Sequence, residues 1–311
     1  MSADPVAQIA RAVLYEGYVL WPYRRSANKN RQRWTFGGVH PAGWSREHPD
    51  DRCVLRTECL LEGPPDAAVD VAVRFLQVVR RQPVDDAGEA VDELAGCLAW
   101  DEAREREQTV ALRPGRPARA AIAIAAGEDV EPVAGGALVR SWEALAGTVD
   151  ASAQALGARL HRVSVTVTNA TPWRGGDRGA ALRRTLASTH VVLRSRDGAF
   201  VSQTDPPAEL RQHAAACENT GAWPVLVGDG HTMLAAPIIL PDHPQIAPES
   251  PGDLFDGTEI DQLLILNVLS LTEAEQREAR ASDSRARDII DRCAALAPED
   301  LMRLHGALRE P

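Results

Sequence analysis

Four acids fall within nine residues, Asp253, Asp256, Glu259 and Asp261. Oxygen donors at such short spacing suit a hard cation such as calcium or magnesium. Their order is not that of an EF-hand loop, which needs oxygen donors at its first, third, fifth and twelfth positions. Asp256-Gly257-Thr258 also has the composition of a turn, and Asp and Thr cap helix starts. An acidic surface patch is therefore the expectation, with a metal-dependent enzyme or metal-binding protein using residues 253–261 as an alternative. His213 and Cys217 stand one helical turn apart. Such a pair can hold a metal or activate a thiolate, but no Asn or Asp is placed as a third member. Gly228-Asp229-Gly230 lies between two apolar runs with no helix after it, so it reads as a turn. The phosphate-loop, His-Glu-x-x-His, Gly-x-Ser-x-Gly and Gly-x-Gly-x-x-Gly patterns do not occur. No catalytic residue, metal ligand or cofactor site is assigned.

A second constellation lies near the start of the chain. All three tyrosines fall at Tyr15, Tyr18 and Tyr23, joined by Trp21, Trp34 and Phe36. Between Glu16 and Glu47 there is no acid, whereas Arg24, Arg25, Lys29, Arg31, Arg33 and Arg46 all occur. Basic residues interleaved with aromatics bind phosphates and stack on rings. Interfaces enrich Trp, Tyr and Arg and deplete Lys. Tyr18, Trp21, Tyr23, Arg24, Arg25, Arg31, Arg33 and Trp34 are therefore the candidate partner-binding residues. The polar centre Ser26–Asn30 is expected to stay exposed and let the flanking arginines reach outward. The competing explanation is that the aromatics are core and the arginines pair with the protein's own carboxylates. No Lys or Arg occurs between Arg211 and Arg277. The segment from Arg24 to Arg33 is thus expected to lie against the acids from Asp253 to Asp261.

Composition bounds the class. A chain of 311 residues can bury a sizeable core. An apolar fraction of 44% and a charged fraction of 25% are ordinary for a globular protein. A net charge of −10 argues against non-specific nucleic-acid binding. The five cysteines are scattered, with no Cys-x-x-Cys. The first residues lack a basic region followed by an apolar core, and no apolar run approaches the length of a membrane helix. The expectation is a cytoplasmic protein without membrane insertion.

The elements that must position these residues are mostly short strands. Residues 52–62 and 159–169 alternate with period two, 69–80 is a dense apolar run, and 187–194 and 223–227 read as further strands. Thr109, Ala111 and residues 120–126 flank an Arg-Pro-Gly-Arg-Pro turn. Asp197-Gly198 predicts a hairpin between 187–194 and 199–203. Residues 100–109 read as charged and exposed, and 142–156 as helical. Thr272 and Glu275 form a capping-box pattern opening a helix through about Leu296, with a short helix over 298–308. Ala279, Ala286, Ile289, Ile290, Cys293 and Leu296 would share its buried stripe. The class expected is mainly β (α+β): an antiparallel β-sandwich-like core with helical additions and a C-terminal helical tail. Residues 1–271 would form the β-rich core, with a division into two sub-domains near 140–158 left open, and 272–311 the tail.

Residues 15–38 (YEGYVLWPYRRSANKNRQRWTFGG), 223–228 (WPVLVG) and 236–279 resemble an uncharacterised bacterial family whose genes accompany [NiFe]-hydrogenase clusters in actinobacteria and relatives. The likeness covers the two ends of the chain and little of its middle. It implies a non-catalytic accessory protein in hydrogenase maturation or assembly, with a hydrogenase subunit or maturation factor as protein partner. It transfers no residue roles. A third expectation is a binding module for an anionic small molecule, using the aromatic-basic segment.

Overall fold

The computed structural model describes residues 5–31, 33, 34, 36–245 and 261–296. Two antiparallel sheets face each other. One runs in the order β12 (Ala199–Phe200), β1 (Val54–Glu62), β10 (Leu160–Asn169), β9 (Leu145–Ala155), β6 (Ala118–Ile124). The other runs β13 (Trp223–Val227), β14 (Thr232–Ala236), β11 (Ala187–Ser195), β2 (Val69–Asp85), β8 (Gly136–Trp142), β7 (Gly127–Val133). Strand β5 (Trp100–Leu112) lies on the other edge of β2, and a small ribbon pairs β3 (Glu93–Leu94) with β4 (Cys97–Leu98). The expected mainly β class, with antiparallel sheets, added helices and a helical C-terminal region, is what the chain adopts.

Alternation places the core. Leu55, Cys59 and Leu61 of β1 and Val163, Val165 and Val167 of β10 point inward. They meet Val69, Val71, Val73 and Phe75 of β2 and Val191 and Leu193 of β11. Each such side chain contributes about 1.5–3 kcal/mol by leaving water. The middle of β2, Phe75 to Val79, is buried on both faces. Odd-numbered residues fill the sandwich. Leu76 and Val78, on the opposite face, meet a third layer of helices. That double burial explains why this strand reads as a dense apolar run, interrupted within 75–79 only by Gln77.

Of three short helices, α2 (Ala42–Glu47) precedes β1, and α3 (Arg178–Leu182) and α4 (Arg211–Ala215) lie in the connections between strands. The third layer has two parts. Helix α1 (Pro5–Tyr15) lays Ile9, Ala10 and Val13 on Val192, Val225, Val227 and Leu234. Helices α5 (Asp261–Leu269), α6 (Glu273–Ser282) and α7 (Ser284–Ala294) cover the far half of the same face. They carry Leu264, Ile265, Val268, Ala279, Ala286, Ile289, Ile290 and Cys293 into one cluster with Leu14, Tyr15, Tyr18, Tyr23 and Trp34. Leu296 packs at its margin, so the expected stripe is buried.

Four sequence expectations are corrected. Residues 145–155 form a strand, not a helix. Leu145, Gly147, Val149 and Ala151 alternate inward, a period hidden by small residues. Residues 100–112 are not an open charged stretch but pair with β2 along thirteen positions. Their charges, such as Arg104 with Asp129 and Arg74 with Glu107 (3.3 Å), decorate and blunt a strand edge. Asp197-Gly198 makes no hairpin. Residues 199–200 cross to pair with β1 in the opposite sheet, and a Cβ at Gly198 would stand 2.9 Å from Leu61 Cδ1. Glycine serves close approach there rather than a left-handed turn. The long tail helix is two helices. Asp283 leaves helical geometry (φ −148°, ψ 144°) and caps α7 by accepting from Arg285 N at 2.8 Å. The Thr272–Glu275 capping box forms as expected, as does the turn between β13 and β14. The helix expected over 298–308 lies outside the described residues.

Two predictions follow from this packing. Ile290→Asp places an isolated carboxylate in the helix–sheet cluster, so the melting temperature should fall by ten degrees or more, about 3 kcal/mol or more of stability. A wild-type melting curve would refute the buried stripe. His190 is fully buried, and burial pushes its imidazole down to about 4. Below its ordinary value near 6.5 the unfolded chain takes up a proton that the folded chain refuses. Stability should therefore fall by about 3 kcal/mol as pH drops from 6.5 to 4. Urea titrations across that range should show the loss, and His190→Gln should flatten it.

Candidate functional site

The aromatic-basic segment begins where α1 ends. Gly17 (φ 73°) turns the chain, and Asn30 then ties the loop closed. Its Oδ1 accepts from Leu20 N at 2.8 Å, and its Nδ2 donates to Leu20 O at 2.8 Å and Arg24 O at 3.0 Å. Residues 28–31 make one 3₁₀ turn. Tyr23 and Trp34 sit at φ 60° and 56°, a region non-glycine residues rarely adopt. Burial of both rings holds them there.

Around these rings runs a polar network buried between α1, β5 and the C-terminal helices. Tyr18 OH donates to Asp283 Oδ2 at 2.6 Å, and Trp100 Nε1 donates to the same oxygen at 3.2 Å. Arg33 stacks 3.6 Å over the Trp100 ring and 4.3 Å over Trp34. Its guanidinium donates to Tyr18 O at 3.2 Å and Asp101 O at 2.6 Å. Arg285 lies 4.1 Å over the Tyr15 ring and also donates to the Tyr15 hydroxyl, which donates on to Glu105 Oε1 at 2.8 Å. Burial, and then the neighbouring Asp283 carboxylate, hold the Tyr18 phenol well above its ordinary value. Burial draws Arg33 down from its usual value, opposed by Tyr18, Asp101 and Asp283.

This corrects part of the sequence reading. Tyr18, Tyr23, Arg33 and Trp34 are core, not surface. Arg33 does not reach outward, because its planar charge is held between two indoles. Asn30 is buried too, so the Ser26–Asn30 centre is exposed only at Ser26, Asn28 and Lys29. Trp21 is half-buried and packs edge-on to Tyr23 at 5.9 Å. Arg24 reaches Glu275 at 3.1 Å. Arg25 grips both oxygens of Asp92, at 2.6 and 2.5 Å. That hydrogen-bonded pair lifts the arginine and lowers the aspartate from their usual ranges. Ser26 N and Oγ donate to Glu278 at 2.8 and 3.0 Å. The segment does meet acids from the C-terminal region, on α6. The Arg31 side chain and the acids Asp253, Asp256 and Glu259 lie outside the described residues, as does the Asp261 side chain at the start of α5. The expected contact between the two charged segments falls there with them.

What the segment builds, together with β2 and β5, is a depression of about 560 Å³. Arg25, Arg33, Arg80, Arg81 and Arg183 line it, with Trp100 and one carboxylate, Asp101. Three of the five arginines are committed. Arg25 and Arg33 are engaged as above. Arg81 donates to Leu98 O, Ala281 O and Ser282 O at 2.7–3.1 Å and to Glu102 at 2.7 Å. Arg80 is exposed, and the one hydrogen bond of its side chain among the described residues goes to Gln82 Oε1 at 3.1 Å. Arg183 faces Asp101 at a loose 3.8 Å. Two guanidinium groups thus remain able to take an anion, backed by three fixed ones. Arg80, Arg81 and Arg183 were missed from sequence. A charged doublet at the end of an apolar strand was the signal for the first two. Nothing local marks Arg183.

The other sequence candidates are structural. Cys217 Sγ donates to His213 O at 3.5 Å within its own helical turn. Burial raises the Cys217 thiol, the opposite of an activated thiolate. Among the described residues no three His, Cys, Asp or Glu side chains gather as a metal-binding group, and no helix is long and apolar enough to cross a membrane. A comparison with protein-family models gives no match, and a comparison with curated proteins gives none.

The network makes a direct prediction. Asp283→Ala strands the Tyr18 hydroxyl and the Trp100 indole N–H and removes the cap of α7. It should cost about 3 kcal/mol or more, whereas Asp283→Asn, which keeps acceptor and cap, should cost clearly less. Equal losses in urea unfolding would show that packing alone fixes this layer.

Proposed function

We propose that this protein is a non-catalytic accessory protein that docks an acidic partner in its arginine-lined depression. The observation that carries the reading is the convergence of five guanidinium groups on one hollow in a chain of net charge −10. Two of them have room to engage carboxylates from outside: Arg80, which among the described residues bonds Gln82, and Arg183, which faces Asp101 at 3.8 Å. Guanidinium groups suit this role because their planar fork grips a carboxylate through two bonds. A [NiFe]-hydrogenase subunit or maturation factor is the partner that the sequence resemblance suggests. That part of the proposal rests on the likeness of residues 15–38, 223–228 and 236–279 alone. A cytoplasmic setting belongs to the same proposal, supported by five free thiols.

A second reading has its own support. A hollow of about 560 Å³ falls in the range of small-molecule sites, so an anionic metabolite is the alternative occupant. The alternative of a metal-dependent activity at residues 253–261 concerns side chains outside the described residues.

Arg80→Glu combined with Arg183→Glu separates these readings. Neither side chain is buried, so the melting temperature should stay within a few degrees. Affinity purification from the native host should lose the partner captured by wild type. Thermal shifts with nucleotides and dicarboxylates should be absent for both proteins if the occupant is a protein. A shift in wild type alone would instead establish the small anion. Undiminished capture by the folded double variant would remove the depression from the mechanism.

A further inference from the structure

The arginines committed along the depression are not all held in the same way. Arg33 and Arg81 are 6% and 4% exposed, and both donate to backbone carbonyls that folding fixes. Arg25, on the same wall, is held by a side chain standing in water. Its two terminal nitrogens bond the two oxygens of Asp92 at 2.6 and 2.5 Å. The Asp92 side chain is 70% exposed, against 34% for Arg25. A further contact of Arg25 Nη1, to Ala99 O, is long at 3.4 Å.

Asp92 is presented by backbone that is itself tied down. Its carbonyl accepts from Ala99 N at 2.8 Å, and Val91 N donates to Pro83 O at 3.0 Å. The Val91 carbonyl accepts from Gln82 Nε2 at 2.8 Å. The ribbon of β3 and β4 follows, and its last carbonyl, Leu98 O, accepts from Arg81. A carboxylate is thus delivered to the wall of the depression from a stiff edge, with both oxygens on one guanidinium. A carboxylate from outside would be gripped in that same geometry.

Magnitude decides what the pair can do. An ion pair this exposed shifts an equilibrium by no more than about fivefold. That is too little to hold the fold together or to exclude a ligand carrying several charges. It is enough to keep Arg25 occupied in most free molecules. A ligand that needs Arg25 then binds more weakly, in proportion to the fraction of molecules in which the pair is open.

We propose that Asp92 is a built-in competitor for the depression: it occupies Arg25 in the free protein and yields it to a carboxylate of the acidic partner. The proposal rests on the docking reading given above, and it adds Arg25 to Arg80 and Arg183 as a third guanidinium able to exchange. These three stand on separate stretches of chain: the loop after α1, strand β2 and the end of α3. An acidic peptide segment, with one carboxylate replacing that of Asp92, therefore fits better than a single small anion.

The test is calorimetric titration of the full chain with a hexaglutamate peptide at constant, low ionic strength. Asp92→Asn should melt within a few degrees of wild type and bind the peptide about three- to fivefold more tightly. Asp66→Asn removes an equal charge from an exposed turn at the other end of β2 and should bind like wild type. In an Arg25→Gln background, Asp92→Asn should bring no gain, because no group is left to release. An equal gain from Asp66→Asn would reduce the effect to net charge, and a gain that survives Arg25→Gln would reduce it to plain repulsion. Either result overturns the proposal. So does unchanged affinity in Asp92→Asn when Arg80→Glu with Arg183→Glu abolishes binding, a result that leaves the docking reading standing. No saturable binding by wild type or by Asp92→Asn would overturn the competitor and the docking reading together.

Discussion

One buried carboxylate organises the half of the molecule that sequence alone left most open. Asp283 is 2% exposed and accepts from a phenol, an indole and a backbone amide at once. Each donor comes from a different place: Tyr18 follows α1, Trp100 opens β5, and Arg285 N opens α7. An ionised group out of water is costly unless its acceptor sites are filled. The three donors must therefore arrive together, and the helical layer is registered on the sheet when they do. The same residue ends α6 and caps α7, so the helix break and the tertiary contact are one event.

The arginines follow from that arrangement. Arg33 cannot swing out while Trp100 and Trp34 sandwich it, and Trp100 is itself fixed by Asp283. Arg81 closes onto the carbonyls of Ala281 and Ser282, immediately before Asp283. Two guanidinium groups are thus built into the floor of the depression by folding. Their place there does not depend on flexible side chains finding it. Arg80 and Arg183 stand at its rim over charges already in place. A fixed field of this kind orients an incoming anion before any close contact forms.

Much of the β-core was legible because period-two alternation survives in strands such as 54–62 and 160–169. It failed where the signal was chemically muted. In 145–155 small residues carry the inward face, and in 100–112 an edge strand wears alternating charges that look like open coil. It failed again where one residue serves two layers. Asp283 reads as an ordinary polar position on a helix until its partners, 183 and 265 residues away in sequence, are known. The candidate site was half legible. The aromatic-basic segment was identified, but its composition fits a core as well as an interface. Only burial distinguishes Arg33 inside from Arg25 at the margin.

The near-total use of arginine, with a single lysine in the chain, reads from sequence as compositional bias. At two positions the fold uses what lysine lacks. Arg81 spreads its donors over Leu98 O, Ala281 O, Ser282 O and Glu102, acceptors from three separate segments. An ammonium group has three donors at one point and cannot span them. Arg33 presents a flat face to one indole at 3.6 Å while its edge donates to two carbonyls. A strongly hydrated point charge would keep its water and leave those carbonyls empty. The bias supplied the residue, but planarity is what lets a positive charge sit in this core and still show itself at the depression's floor.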